Sequence, residues 1–126
     1  MTTQRLLDNQ LQKHKLLGQE ICQQMWQAII TLGYQESDVE GIPDFEQAEF
    51  KLVKDPYTAD QNLAGLWYDK HKQRIGTIQF NSDGSFYAEY DIIRLHPSKK
   101  NWFVEAMSAW GSQGQIKTEA KLLPTQ

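Results

Sequence analysis

The chain carries a single cysteine, Cys22, in 126 residues. One thiol excludes an internal disulfide, so stability has to come from packing alone. No apolar run approaches the 18 residues or so that a membrane-crossing helix needs. The opening MTTQRLLDNQLQKHK also lacks the continuous apolar core of a signal peptide. Together these absences set the expectation of a reduced, cytoplasmic setting with no membrane partner. An excess of positive charge is missing too: 13 Lys and Arg stand against 16 Asp and Glu, a net charge of −3. Such a balance exerts no long-range pull on phosphate chains or anionic lipid. CxxC, HExxH, GxGxxG and phosphate-loop patterns are absent, and His14, His71 and His96 have no ligand spacing. The expectation is therefore no metal and no cofactor. The glycine-containing GSQG at 111–114 falls between two predicted strands. It lacks the helix N-terminus that makes such loops bind phosphate. Internal repeats and low-complexity segments are also missing.

What is present is a globular composition, 40% hydrophobic with 4 Trp, 5 Tyr and 5 Phe. A chain of this size buries roughly two-thirds of its unfolded surface, enough for one core and one domain over 1–126. Residues 4–32 read as helix. Leu7, Leu11, Leu17, Ile21, Cys22, Met25, Ile29 and Leu32 fall within an arc of roughly 140° at helical spacing. Gln19, Gln23, Gln24 and Gln27 lie mostly outside it, as a solvated face. Gly33 suits the left-handed position that ends a helix, with Tyr34 placed to pack back on Ile29. Thr3 or Asp8 is the candidate cap at the start. At 1.5 Å per residue the helix would be about 43 Å long. A compact body of this size is only about 36 Å across, so the helix either breaks near Gly18 or overhangs. An overhanging apolar helix usually finds a second copy of itself, which makes a homodimer through this helix the expected assembly. Trp26, at the edge of the stripe, is the aromatic best placed for that contact.

After the polar connection 34–44 the period changes to two. Strands are expected at 45–54, 63–68, 74–80, 86–93, 102–110 and 116–123, joined by short turns; a short helix opening at Pro43 competes with the first. NSDGS (81–85) is the clearest hairpin turn, because Asp-Gly supplies positive φ. Short connections require antiparallel pairing. The fold class is thus α+β, a long N-terminal helix packed on one face of a five- to six-stranded antiparallel meander sheet. Alternation assigns Gly76, Ile78, Phe80, Phe86, Ala88, Tyr90 and Ile92 to the helix side. Extended along the fifth and sixth strands, it adds Trp102, Val104, Ala106 and Trp110, then Ile116, Ala120 and Leu122. Small Gly76, Ala88 and Ala106 would let the helix come close. The opposite face receives Tyr87, Glu89 and Asp91, beside Phe103, Glu105 and Met107, then Lys117, Glu119 and Lys121.

The candidate chemistry gathers on that outer face and in SFYAEYDIIRLHP (85–97). Glu89 and Asp91 alternate on one strand with roughly 7 Å between their Cα positions. Such a pair can share a proton, and with Glu105 it can offer oxygen ligands to a hard cation. The bland alternative is a solvated face whose acids pair with lysines on neighbouring strands. His96, with Arg94 and Asp91 near in sequence, has the makings of a general base; the bland alternative is a loop stiffened by Pro97. The candidate binding residues are therefore Tyr87, Glu89, Asp91 and Glu105, with Arg94 and His96 at the rim. The function these features favour is a small binding module: an adaptor, an inhibitor-like protein or a regulatory subunit engaging another protein. The alternative is a small enzyme or ligand-binding protein that uses the carboxylates. A single-stranded nucleic-acid binder using RLHPSKKNWF (94–103) ranks below both, because the adjoining acidic face repels phosphate.

Overall fold

The computed structural model describes residues 2–112 and 114–125. It has one long N-terminal helix, α1 (Thr3–Leu32), laid on a six-stranded antiparallel sheet. The strands are β1 (Glu49–Lys54), β2 (Gln61–Tyr68), β3 (Arg74–Phe80), β4 (Ser85–Leu95), β5 (Trp102–Ser112) and β6 (Gln115–Pro124). They stand in the sheet in chain order, so the meander is complete. Of the expected turn at 111–115, Gln113 lies outside the described residues. The expected first strand begins later than 45: Phe45–Gln47 is a 3-10 turn whose N-cap, Asp44, accepts from Glu46 N–H.

α1 is capped by Thr2 rather than Thr3 or Asp8; the Thr2 hydroxyl accepts from Arg5 N–H at 3.2 Å. It ends at Gly33, where φ is +114°, a conformation that glycine adopts freely. Tyr34 reaches away from the helix to the sheet, donating from its hydroxyl to Leu95 O at 2.7 Å. Between these ends the 30-residue helix is unbroken. Gly18 is the reason it lies close rather than the point where it fails. A Cβ at Gly18 would overlap the Phe45 ring and sit 3.2 Å from Phe80 Cζ. Phe45 and Phe80 meet edge-on at 6.3 Å between centroids, so the missing methyl admits an aromatic wedge under the helix.

The stripe of α1 is taken up by the sheet. Ile21, Cys22, Met25 and Ile29 are buried, and Leu7, Leu11, Leu17, Trp26 and Leu32 pack around them. Leu16, 82% exposed, stands apart on the solvent side. From the strands come Leu63, Trp67, Ile78, Phe80, Phe86, Ala88, Tyr90, Ile92 and Val104. Gly76 gives room to rings, not to the helix, since a Cβ there would meet Trp67, Tyr90 and Glu89 O.

Simple alternation fails in β5. The β5–β6 register shifts between Val104 and Ala106, leaving Glu105 as an extra residue. Beyond this bulge the faces exchange. Met107 and Ala109 join the core, opposite Tyr90 and Ala88. Ala106, Ser108 and Trp110 come instead to the outer face, opposite Asp91, Glu89 and Tyr87. The sequence-based placing of Ala106 and Trp110 inside, and of Met107 outside, is thus inverted, because one inserted residue flips every later side chain. Trp102, expected inside, is 38% exposed at the strand start.

Gly18→Ala gains about 1 kcal/mol of helix propensity but forces Phe45 or the helix to move. Overpacking of this kind costs about 1–3 kcal/mol. The expected result is a thermal midpoint lowered by several degrees, with helix content unchanged by circular dichroism. A second expectation concerns alkaline pH. Burial, with Asp44 nearby, pushes the Cys22 thiol up to about 12 from 9.0. Burial, with Glu40 and other acids nearby, pushes Tyr90 up to about 12 from 10.0. Both groups are neutral in the fold and ionise more readily when unfolded. Their contribution is whole below pH 9 and is lost as pH rises toward 12. Urea midpoints should therefore stay level to about pH 9 and then fall.

Candidate functional site

Tyr87, Glu89 and Asp91 do stand in a row on the outer face of β4, as alternation requires. Lys121 of β6 reaches across β5 to them. Its Nζ lies 2.8 Å from Glu89 Oε2 and 3.1 Å from the Tyr87 oxygen. The Tyr87 hydroxyl donates to the same Glu89 oxygen. Burial raises the proton affinity of Glu89, but the hydrogen bonds from Lys121 and Tyr87 outweigh it and hold the carboxyl below its ordinary value. Lys121 is held above its own, chiefly by the Glu89 bond. Glu89 is thus the acceptor of a closed three-member network, rather than a free base.

Asp91 is different. Partial burial raises it first, the neighbouring Glu89 charge adds, and Arg74 opposes; Glu105 contributes in the raising direction. Glu105 therefore does come within electrostatic reach of Asp91, although it is the extra residue of the β5 bulge. Among the described residues no three His, Cys, Asp or Glu side chains converge as a metal-ligand group.

His96 is not at the rim. It is 9% exposed, and its Nδ1 accepts from the backbone N–H groups of Ser98 and Lys99, both at 3.1 Å. Backbone N–H groups can only donate, so Nδ1 carries no proton and the ring proton sits on Nε2. His96 N–H in turn donates to Trp102 O at 2.9 Å. The imidazole closes the loop between β4 and β5 in the way that an aspartate closes a turn. Arg94 is exposed and donates to Ile93 O at 3.1 Å, leaving the rest of its guanidinium open.

The structure also brings out a surface that alternation alone did not reveal. A second irregularity, between Asp91 and Arg94, gives β4 one more residue than β5. Ile93 takes φ of +51° there, a strained state for a β-branched residue. Beyond it Leu95 pairs with Phe103, and Phe103 with Leu123, forming one apolar row across three strands. Leu95 is 63% exposed, Ile93 54% and Leu123 47%. Next to the row runs a groove of about 610 Å³ lined by Tyr34, Ser37, Asp38, Arg94, Pro97 and Phe103. The signal was in the sequence: along β4 the outer positions run Tyr87, Glu89, Asp91, Ile93, Leu95, passing from acid to apolar. A separate cleft of about 400 Å³ lies under the N-terminal half of α1. There His14 stacks on Phe80 at 4.6 Å and meets Gln10 at 3.2 Å, and burial, with Lys13 nearby, lowers its proton affinity.

The geometry defines a helix-on-meander α+β domain with a polar network at one end of its outer face and an apolar row at the other. No family model, no curated protein and no solved structure matches the chain.

The two carboxylates should respond oppositely to neutralisation. Asp91 is raised, so its favourable contribution exists only below about 3.8 and disappears as pH rises through its folded value. Asp91→Asn should therefore melt higher than wild type at pH 7, with the gain vanishing near pH 3. Glu89 is lowered, so its contribution exists above 4.5 and is lost as pH falls through its folded value. Glu89→Gln should melt lower at pH 7, by about 0.2–1 kcal/mol for so exposed a pair. Differential scanning calorimetry from pH 3 to 7 reads both.

Proposed function

We propose that the chain is a protein-binding module and that its docking surface is the apolar row Ile93, Leu95, Phe103 and Leu123 with the adjoining Arg94 groove. The observation that carries this reading is the exposure of Ile93, Leu95 and Leu123 in one row, joined through Phe103, on the sheet. Contiguous apolar surface of this kind, edged by polar groups, is what a partner covers. Arg94 lines the groove beside the row, with its guanidinium tied only to Ile93 O, and Lys99 and Lys100 follow in the same loop, so the partner segment that fits is apolar with an acidic residue placed for Arg94. The strained Ile93 supports the assignment: a β-branched residue at positive φ costs about 1–3 kcal/mol and is typical of functional surfaces.

The test is a peptide selection against the folded chain. Peptides rich in apolar and acidic residues should be enriched. Their binding should fall at least tenfold in Leu95→Asp and survive in Glu89→Gln. Selected peptides that bind Leu95→Asp as well as wild type would overturn the reading. Ile93→Asn adds a stability readout, since asparagine tolerates positive φ. It should melt higher than wild type while binding the selected peptides more weakly.

A second reading, a small enzyme acting through the carboxylates, has one observation in its favour: the raised proton affinity of Asp91. It requires a proton-transfer activity that Asp91→Asn abolishes while the fold is kept.

A further inference from the structure

β6 is an edge strand ten residues long, paired on one side only, with β5. The direction of its free backbone groups can be read from two contacts. Ser108 Oγ donates to Glu119 O at 3.0 Å, and a Cβ at Gly111 would collide with Gln115 O. Both carbonyls therefore turn toward β5. In an antiparallel strand the groups of alternate residues point the same way. Hence Gln115, Lys117, Glu119 and Lys121 bond toward β5, while Ile116, Thr118 and Ala120 turn their N–H and C=O to the open edge. A row of unpaired groups this long is a template for another strand.

The side chains say which strand fits. Lys121 is already held by Glu89 and Tyr87. That leaves Lys117 and Glu119, whose partners on β5 are the uncharged Trp110 and Ser108. They are one cation and one anion, two residues apart on one face. We infer that β6 pairs with β6 of a second copy, antiparallel about a two-fold axis at Thr118, to give a continuous sheet across the dimer. In that register Lys117 of each copy opposes Glu119 of the other, and the pairing is made twice. On the helix side Thr118 meets its own equivalent, a favourable cross-strand pair, and Ile116 meets Ala120. Ile116, Thr118 and Ala120 exchange their free N–H and C=O groups with the second copy. The flank of α1 overlooking this edge presents Gln24, Gln27 and Thr31 along a groove shared with Thr118 and Glu119. Gln24, Gln27 and Thr31 are uncharged, and the one carboxylate next along that flank, Glu20, accepts from Gln24 Nε2. A two-fold interface is self-complementary and closes on itself. Pro124 ends β6 and limits how far the pairing can slip.

This inference is independent of the docking surface proposed above, and its test needs no other partner. Sedimentation equilibrium at 10–100 μM is run on wild type, Lys117→Glu, Glu119→Lys and the double exchange, with circular dichroism confirming each fold. Wild type should be a dimer. Each single reversal sets like charges face to face twice and should weaken association at least tenfold. The double exchange should restore it. Lys51→Glu, on the opposite edge strand β1, should leave the dimer unchanged. A wild type monomeric at 100 μM would overturn the inference. So would a dimer indifferent to both single reversals, a double exchange that fails to recover, or a dimer broken by Lys51→Glu.

Discussion

The contact of Gly18 with Phe45 and Phe80 sets the distance between the two layers, and the rest of the structure depends on that distance. A side chain at position 18 would lift the helix off the sheet at the start of its buried stretch. With the helix held close, Ile21, Cys22, Met25 and Ile29 reach the sheet and are buried almost completely. The same contact explains why Phe45 leaves the strand it seemed to begin. The Phe45–Gln47 turn carries its ring under α1 and brings Asp44 O within 2.8 Å of the Trp67 indole N–H. One absent methyl thus fixes the helix, the entry to β1 and a core tryptophan together.

Two inserted residues divide the outer face. Between β3 and the middle of β5 the register is regular, and the outer row is polar: Tyr87, Glu89 and Lys121 satisfy one another. Past the irregularities at Ile93 and Glu105 the row becomes apolar, with Leu95 beside Phe103 and Phe103 beside Leu123. The strain at Ile93 is confined to this boundary. A sheet that alternated without interruption would have carried Ala106 and Trp110 into the core and left Met107 outside. The bulges instead keep Met107 under the helix and present Trp110 beside the polar network.

The fold was legible because its signals are local. Helical spacing in α1 and the shift to period two after residue 44 mark the layers. Asp83-Gly84 marks the central hairpin, and short connections force the meander. Faces were legible for β3 from Gly76 onward and for β4 as far as Asp91, where nothing interrupts the alternation. They were misread in β5 because an extra residue leaves no mark on composition; it shows only as register against a partner strand. The polar site was half visible. Glu89 and Asp91 could be placed on one face, but Lys121 lies two strands away, and its bond to Glu89 depends on register through β5. His96 was misplaced for a related reason. A histidine whose Nδ1 closes a turn looks, in sequence, like one free to act as a base.

The strand order has a consequence for how the chain is made. Every strand pairs only with its neighbours in sequence, so the sheet can grow hairpin by hairpin as residues leave the ribosome. α1 cannot follow that order. It is synthesised before the sheet, yet its C-terminal half lies against β5 and β6, the latest strands to emerge. Until β5 and β6 emerge, the stripe of Ile21, Met25 and Ile29 has only part of the surface that covers it, and the nascent chain carries an amphipathic helix waiting for the rest of its sheet. Folding is thus completed when α1 meets the last strands of the sheet, and a chain cut short before β6 would keep the helix without part of the floor it covers.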